Sequence, residues 1–295
     1  MFNVSRTAAN YGNGVCDLFP DEEDVVSPET RELLLFHAGK VGEVPLLPTV
    51  AREIMAMLGD PSVGMARVAL SARKDPAMAA NLLRVANSAA FGGAAPVSSI
   101  REALVRIGIE GTKRFLYQTS TARILAVKAR PELAARLQER SVAVAHAAAR
   151  IAQHHGSDPD TAFLAGLLHD VGWAVGYGLL ARLPSALPPE LATDETRAFA
   201  TVDALHTEIG ATLGRCWNLS PSAVDAISGH HQPMERHAGL MAHIVYAATH
   251  VCDSMGIGPV EPPSLELADD PVMQRLRLDR TALAQLRTAL KLDLP

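Results

Sequence analysis

Ala162-Phe163-Leu164-Ala165-Gly166-Leu167-Leu168-His169-Asp170-Val171-Gly172-Trp173 is an apolar, helix-like run whose only ionisable residues are an adjacent histidine and aspartate. A run this apolar belongs in a core, where a buried imidazole beside a buried carboxylate is costly unless the two are paired, hydrogen-bonded or bound to a metal. Neighbouring helical side chains diverge by about 100°, so the pair shares one centre only if that centre lies to the side of both. Two readings stand at this point: a His-Asp metal doublet, or an aspartate that caps a helix next to a core histidine.

Outward from this run, caps and prolines divide the chain into helices. Ser27-Pro28-Glu29 offers an N-cap, a proline at the first helical position and an acid in the first turn, opening a helix through Leu33, Leu34 and Phe36 to about Gly39. After Pro45 and Pro48, the apolar Val50, Ile54, Met57 and Leu58 recur at helical spacing until Gly59-Asp60-Pro61, and a short helix follows through Met65, Val68 and Ala69. Asp75-Pro76 starts another helix that ends at Asn87-Ser88, where Asn87 reads as a C-terminal cap or a side-chain-to-backbone bond. Ser98-Ser99 caps a helix carrying Ile100, Leu104 and Ile107 and stopped by Gly108; Glu110 to about Val127 forms one more, with Lys113, Arg114 and Arg123 on a solvated face.

Pro131 restarts a long, alanine-rich helix to about His155, and Asp158-Pro159 leads into the quoted run. Beyond Pro184, Pro188 and Pro189, a helix from about Glu195 carries Phe199, Val202, Leu205, Ile209 and Leu213, with His206 beside that stripe. Pro221 opens a short helix ending at Gly229-His230-His231; about Arg236 to Met255 is helical, Gly256 to Pro263 a linker, and Thr281 to about Leu292 a final amphipathic helix. Residues 1–26, with the cluster Asp21-Glu22-Glu23-Asp24, show no sustained period and read as an arm, poorly ordered unless it docks.

Composition narrows the class. With 48% hydrophobic but only 4% aromatic residues, the chain favours closely packed helices over sandwiches, and no period-two pattern persists: all-α is the expectation. A formal charge of −5 and a pI near 6.1 argue against general nucleic-acid binding or an anionic membrane surface. Cys16, Cys216 and Cys252 are odd in number and far apart, which suits a reducing compartment. The N-terminus lacks the basic-then-apolar order of a signal peptide, and no apolar stretch reaches about 18 residues without interruption, so a cytoplasmic location and no membrane are expected.

Three upstream segments carry a more specific signal: Leu47-Pro48-Thr49-Val50, the run Asp75-Pro76-Ala77-Met78 through Asn87-Ser88-Ala89-Ala90-Phe91, and Ile100-Arg101-Glu102-Ala103-Leu104-Val105-Arg106-Ile107-Gly108. They resemble the HDOD domain, and the downstream His169-Asp170, His206, His230-His231 and the apolar run Ile244 to Asp253 resemble the wider HD superfamily of metal-dependent phosphohydrolases. The resemblance runs from about Leu46 to His231 in unbroken order. It implies a two-lobed helical bundle of the HDOD, HD-like type over 27–257, with an N-terminal helical lobe at about 27–128 and an HD-like lobe at about 129–257, followed by a C-terminal linker and helix at 258–295. It also offers His169, Asp170, His206, His230 and His231 as candidate ligands for a single divalent ion such as Zn, Mn, Fe or Ni.

Two positions depart from the catalytic pattern of that superfamily. Arg140-Ser141-Val142-Ala143 places an arginine where catalytic members carry the first histidine ligand, and a guanidinium stays protonated and cannot ligate. His146 lies across the helix and reads as a packed histidine. Thr249 falls where the closing acid is usual, with Asp253 one turn later. The HD-GYP relatives carry a lysine shortly after the doublet and a Gly-Tyr-Pro signature after the paired histidines; here stand Trp173 and Gln232-Pro233-Met234-Glu235. A salt bridge between Arg140 and Asp170 is one expectation for such a pocket. The resemblance therefore points to a non-catalytic regulatory module acting on a signalling protein partner in trans or through a bound ligand. The alternatives are a metal-dependent phosphohydrolase with an incomplete ligand set and a nucleotide-binding sensor that kept the pocket.

Overall fold

Side-chain caps decide where the helices begin. In the computed structural model, which describes residues 26–42, 47–88, 91, 96–126, 131–234, 239–257 and 267–293, the Asp75 carboxylate accepts from the Met78 amide at 3.0 Å and Asp158 accepts from the amides of Asp160 and Thr161. Ser220 does the same for Ala223, and in all three cases a proline follows at the first helical position, where its missing N–H costs nothing. Helices account for most of the described residues, and no strand occurs among them. Residues 1–25 of the expected arm at 1–26 and residues 258–263 of the expected linker at 256–263 lie outside the described residues.

The chain divides into two compact units, one of residues 1–44 with 122–291 and the other of 45–121 with the last four residues. The boundary at 121–122 lies near the lobe boundary expected at about 128, and the first helix groups with the later residues. Helix α1, Pro28–Gly42, groups with the later unit because it packs against the long helix Glu195–Cys216, so closely that a Cβ on Gly42 would lie 2.6 Å from that of Cys216. Phe36, expected on its apolar face, is instead 60% exposed. Residues 267–291 of the C-terminal segment likewise group with this unit.

The smaller unit is built from α2, Thr49–Leu58, α3, Met65–Ala72, α4, Pro76–Ala86, and the first part of α5, Ile100–Leu125. Its core is aliphatic: Ile54, Val68, Leu82 and Leu104 are fully buried, with Phe115 and Leu116 packed among them. Gly108 interrupts α5 with φ 76° and ψ 175°, a conformation that a side chain would strain, so the stop expected there is a kink. Asn87, the C-cap of α4, is tied to the backbone of Val97 by a pair of bonds, Nδ2–H to the carbonyl at 2.9 Å and amide to Oδ1 at 2.8 Å. That is the structural role expected for it. Arg114, expected on a solvated face, is half-buried.

The larger unit continues with α6, Pro131–His155, α7, Pro159–Leu168, α8, Val171–Arg182, the short α9, Glu190–Thr193, α10, Glu195–Cys216, α11, Pro221–Gly229, α12, Leu240–Ser254, α13, Pro271–Arg275, and α14, Arg280–Asp293. Its helices meet at small residues. Ala143, Ala147 and Ala148 of α6 are fully buried, and a Cβ on Gly166 of α7 would stand 2.9 Å from the Val144 carbonyl. Residues Pro159–Arg182 are long and apolar enough to cross a membrane by length and composition, but 89% of the apolar 18-residue stretch within them is buried inside the protein. Its apolarity serves the core.

Candidate functional site

The quoted run is not one helix. It breaks at the doublet: His169 is the C-cap of α7, and Asp170, at φ −103° and ψ 13°, occupies the N-cap position of α8 without making a side-chain cap bond. The capping reading is thus half right, since Asp170 sits at a helix start but turns its carboxylate elsewhere. Periodicity alone could not place this turn, because the residues on both sides of it are apolar.

That carboxylate divides the pocket between its two oxygens. Oδ2 lies 3.0 Å from His169 Nε2 and 3.4 Å from Arg140 Nε, while Oδ1 lies 3.6 Å from His230 Nε2 and 3.8 Å from His206 Nε2. His231 joins the second side, with Nε2 3.0 Å from that of His206. One ligand atom each from Asp170, His206, His230 and His231 falls within 4.8 Å of the others, a set that brings together residues 61 positions apart in sequence. His169 pairs with Asp170 but stands outside this set.

The imidazoles are aimed by their own helices. His169 Nδ1 donates to the Gly166 carbonyl at 2.7 Å, His206 Nδ1 to that of Asp203 at 2.5 Å, and His230 Nδ1 to that of Ile227 at 2.9 Å. A carbonyl only accepts, so each Nδ1 donates and each ring turns its Nε2 inward. The Nε2 atoms of His169 and His230 are fully buried and have no hydrogen-bond partner. Burial pulls His206 down to about 4 and also lowers His230 and His231, which keeps the rings neutral at ordinary pH. Trp173 stacks on His206, its ring 5.3 Å away at 29°, and closes the apolar side of the pocket.

On the other side, Arg140 of α6 brings a permanent cation to the pocket. Its guanidinium ion-pairs with Asp253 of α12 through Nη1, reaches the second Asp253 oxygen from Nη2 at 3.5 Å and the Ile257 carbonyl at 3.4 Å, and holds Asp170 through Nε. Burial lowers the Arg140 pKa, but Asp170 and Asp253 raise it above its ordinary value. Burial pushes Asp170 up, yet His169, His230 and Arg140 hold it well below the usual carboxylate range. The Thr249 hydroxyl donates to the Tyr246 carbonyl of its own helix at 2.7 Å. His146 packs edge-on against Phe163, as expected.

Two participants escaped the sequence reading. Gly172 lets α8 lie flush on α10: a Cβ there would come 1.9 Å from the His206 carbonyl oxygen, so this glycine sets the distance between Asp170 and His206. Asp203, one turn before His206, is raised to about 6 by burial and by Asp170. Its position three residues before a candidate ligand was the available signal.

The donor set fits one divalent ion. Three imidazole nitrogens and a carboxylate oxygen suit Zn or a similar borderline metal, and within this set the buried His230 Nε2, which has no hydrogen-bond partner, is what a metal would satisfy. The formal charges of Asp170, Asp253 and Arg140 leave one negative charge with neutral histidines. A second ion does not fit, because the guanidinium fills the Oδ2 side of Asp170 and Thr249 supplies no acid.

Comparison with known proteins gives concordant matches. A family model of the HDOD domain matches residues 44–233. A Treponema pallidum (strain Nichols) protein, named only as uncharacterized, is 25% identical over an aligned length of 231, with 75% of this chain covered; the chain spans 45% of that relative's length. Among solved structures, a protein of Marinobacter aquaeolei VT8 provisionally named a signal transduction protein superposes with a TM-score of 0.66 at 20% identity, covering 92% of this chain and 66% of that one. A Shewanella amazonensis SB2B protein provisionally named a metal-dependent phosphohydrolase gives 0.63 at 20% identity, covering 90% and 99%. At such identities these two likenesses bear on the fold.

Proposed function

From the premise that this chain belongs to the HDOD domain family, we propose that it is a non-catalytic regulatory module of signal transduction, acting in the cytoplasm through a signalling protein partner in trans. The observation that carries the reading is the Arg140 guanidinium lodged between Asp170 and Asp253. Phosphohydrolysis by two metals needs a pair of cations that clamp the attacking and leaving oxygens. Here one of the two places holds a tethered cation that has no open coordination position and cannot generate hydroxide. The remaining ligand set, His206, His230, His231 and Asp170, holds at most a single ion, which when bound supplies Lewis acidity and structural cross-linking of α8, α10 and the end of α11.

The residues around that place are arranged to position and neutralise. Asp253 and Asp170 cancel Arg140, the three carbonyls fix the rings, and Trp173 excludes water from one side. A pocket so occupied ties α6, α8, α10 and α12 together, which suits a rigid scaffold for a partner.

The test is turnover by the purified protein. With Mn, Zn, Fe or Ni supplied, cyclic dinucleotides, nucleoside triphosphates and bis(p-nitrophenyl) phosphate should be hydrolysed no faster by the wild type than by His169→Ala or Asp170→Ala. Robust hydrolysis lost in both variants overturns the proposal in favour of a metal-dependent phosphohydrolase.

A further inference from the structure

Charge is distributed unevenly between the two units. The chain as a whole carries −5, yet residues 45–121 hold nine Lys and Arg against five Asp and Glu, and the rest of the chain holds 18 against 27. The acids of the basic unit are largely committed to its own structure. Glu53 accepts from Lys74 at 2.7 Å and from Ser71 at 2.9 Å, Asp60 accepts from the hydroxyl and amide of Ser62 and feels the charge of Arg67, and Asp75 caps α4. Arg52 and Arg84 bond only neutral Thr49 and Asn81 among the described contacts, so their charge is not cancelled there.

Exposed aliphatic side chains accompany these bases. Leu70 is 62% exposed and stands three residues from both Arg67 and Arg73, which are exposed as well, so the three share the outer face of α3. On α5 the exposed Arg101 is followed one turn later by Val105, 64% exposed, and beyond the kink by Ile109 at 42%. No aromatic ring of this unit is exposed among the described residues, so the stacking platform that single-stranded nucleic acid uses is missing. Arginine set among exposed aliphatic residues is the composition of a protein-docking patch, the apolar groups anchoring and the bases steering.

We propose that the outer face of α3, Arg67, Leu70 and Arg73, receives an acidic amphipathic segment of a partner protein. This rests on the reading of the chain as a protein-partnered module and names the chemistry of that partner: carboxylates opposite the two arginines and an aliphatic side chain against Leu70. All three residues are exposed, so replacing them leaves the core intact.

The test uses the full chain and a fluorescein-labelled helical peptide of glutamate with leucine at every third or fourth position, read by anisotropy, with poly-L-glutamate of equal length, duplex DNA and single-stranded RNA as the other arms. The leucine-bearing peptide should bind tightest and weaken with salt. Arg67→Glu with Arg73→Glu should weaken it about tenfold or more, Leu70→Ser about threefold or more, and Arg215→Glu in the other unit should leave it unchanged. Tighter binding of either nucleic acid, no peptide binding, or binding indifferent to the α3 variants overturns the proposal. None of these outcomes alters the hydrolysis assay, so the docking proposal and the non-catalytic reading fail separately.

Discussion

Residues 45–121 and residues 122–291 bury different chemistry. In the first, the buried polar side chains among the described residues are hydroxyls, Ser71, Thr112, Ser120 and Thr121; in the second they include His169, Asp170, His206, His230, His243 and Asp253, with Arg140 close to buried. An aliphatic core with a few hydroxyls needs no explanation beyond the hydrophobic effect. Ionisable groups taken out of water each cost several kcal/mol unless paired, and they persist where they have been given partners and a purpose. The larger unit concentrates most of them around one aspartate, while the smaller unit keeps most of its charges, Arg114 apart, towards the outside.

Variants at Arg140 break this contrast most strongly. Arg140→Ala strips the cation from two buried carboxylates and should cost about 3–5 kcal/mol in urea unfolding. A loss under about 1 kcal/mol would mean that Asp170 and Asp253 are not held by it.

Acid sharpens the contrast next. His206 has a folded pKa of about 4 against 6.5 in the unfolded chain, so below pH 6.5 the unfolded state takes up a proton that the folded state refuses. Stability contributed by this ring is present above pH 6.5 and is lost as the pH falls from there to about 4, by about 3 kcal/mol. Below that, Asp170, held beneath the ordinary carboxylate range, continues the loss. Denaturant melts at a series of pH values should show this fall in the apo protein, and His206→Gln should flatten the upper part of it.

Gly172→Ala comes third. Its Cβ would press on the His206 carbonyl, a backbone atom that cannot swing aside, and should cost about 2–3 kcal/mol while moving Asp170 away from His206. Trp173, stacked on His206, reports the shift by a change in fluorescence. The smallest effect lies at the C-terminal segment, where Arg277 holds φ 58° just past α13 and the Leu278 amide donates back to the Met273 carbonyl at 2.8 Å. Arg277→Gly relieves that left-handed strain and should raise stability by about 0.5 kcal/mol, the unfolded chain's extra freedom offsetting part of the gain.

Much of this fold could be read from local rules. Ser27-Pro28, Asp75-Pro76, Asp158-Pro159 and Pro221 each announced a helix start, because capping and the proline φ act over a few residues. The convergence of His206 and His230-His231 on Asp170 was legible only through family resemblance, since spacing along the chain says nothing about which helices meet. The partnership of Arg140 with Asp253 was half legible: the sequence suggested Asp170 as the partner, and the structure gives Arg140 both carboxylates. Gly172 was invisible, because a glycine in an apolar run does not reveal what its missing Cβ would have struck. The placement of α1 in the larger unit was hidden for the same reason, being decided by the close approach of Gly42 to Cys216.

The central claim is that the Arg140 guanidinium stands where a second cation would otherwise bind. Metal content per chain, measured by mass spectrometry after equilibration with Mn or Zn and desalting, tests it directly by comparing wild type with Arg140→His. No more than about one ion per wild-type chain is expected, and a higher occupancy in Arg140→His, which exchanges a cation for a neutral ligand. Two ions bound by the wild type, or an Arg140→His protein that folds normally and gains none, would contradict it.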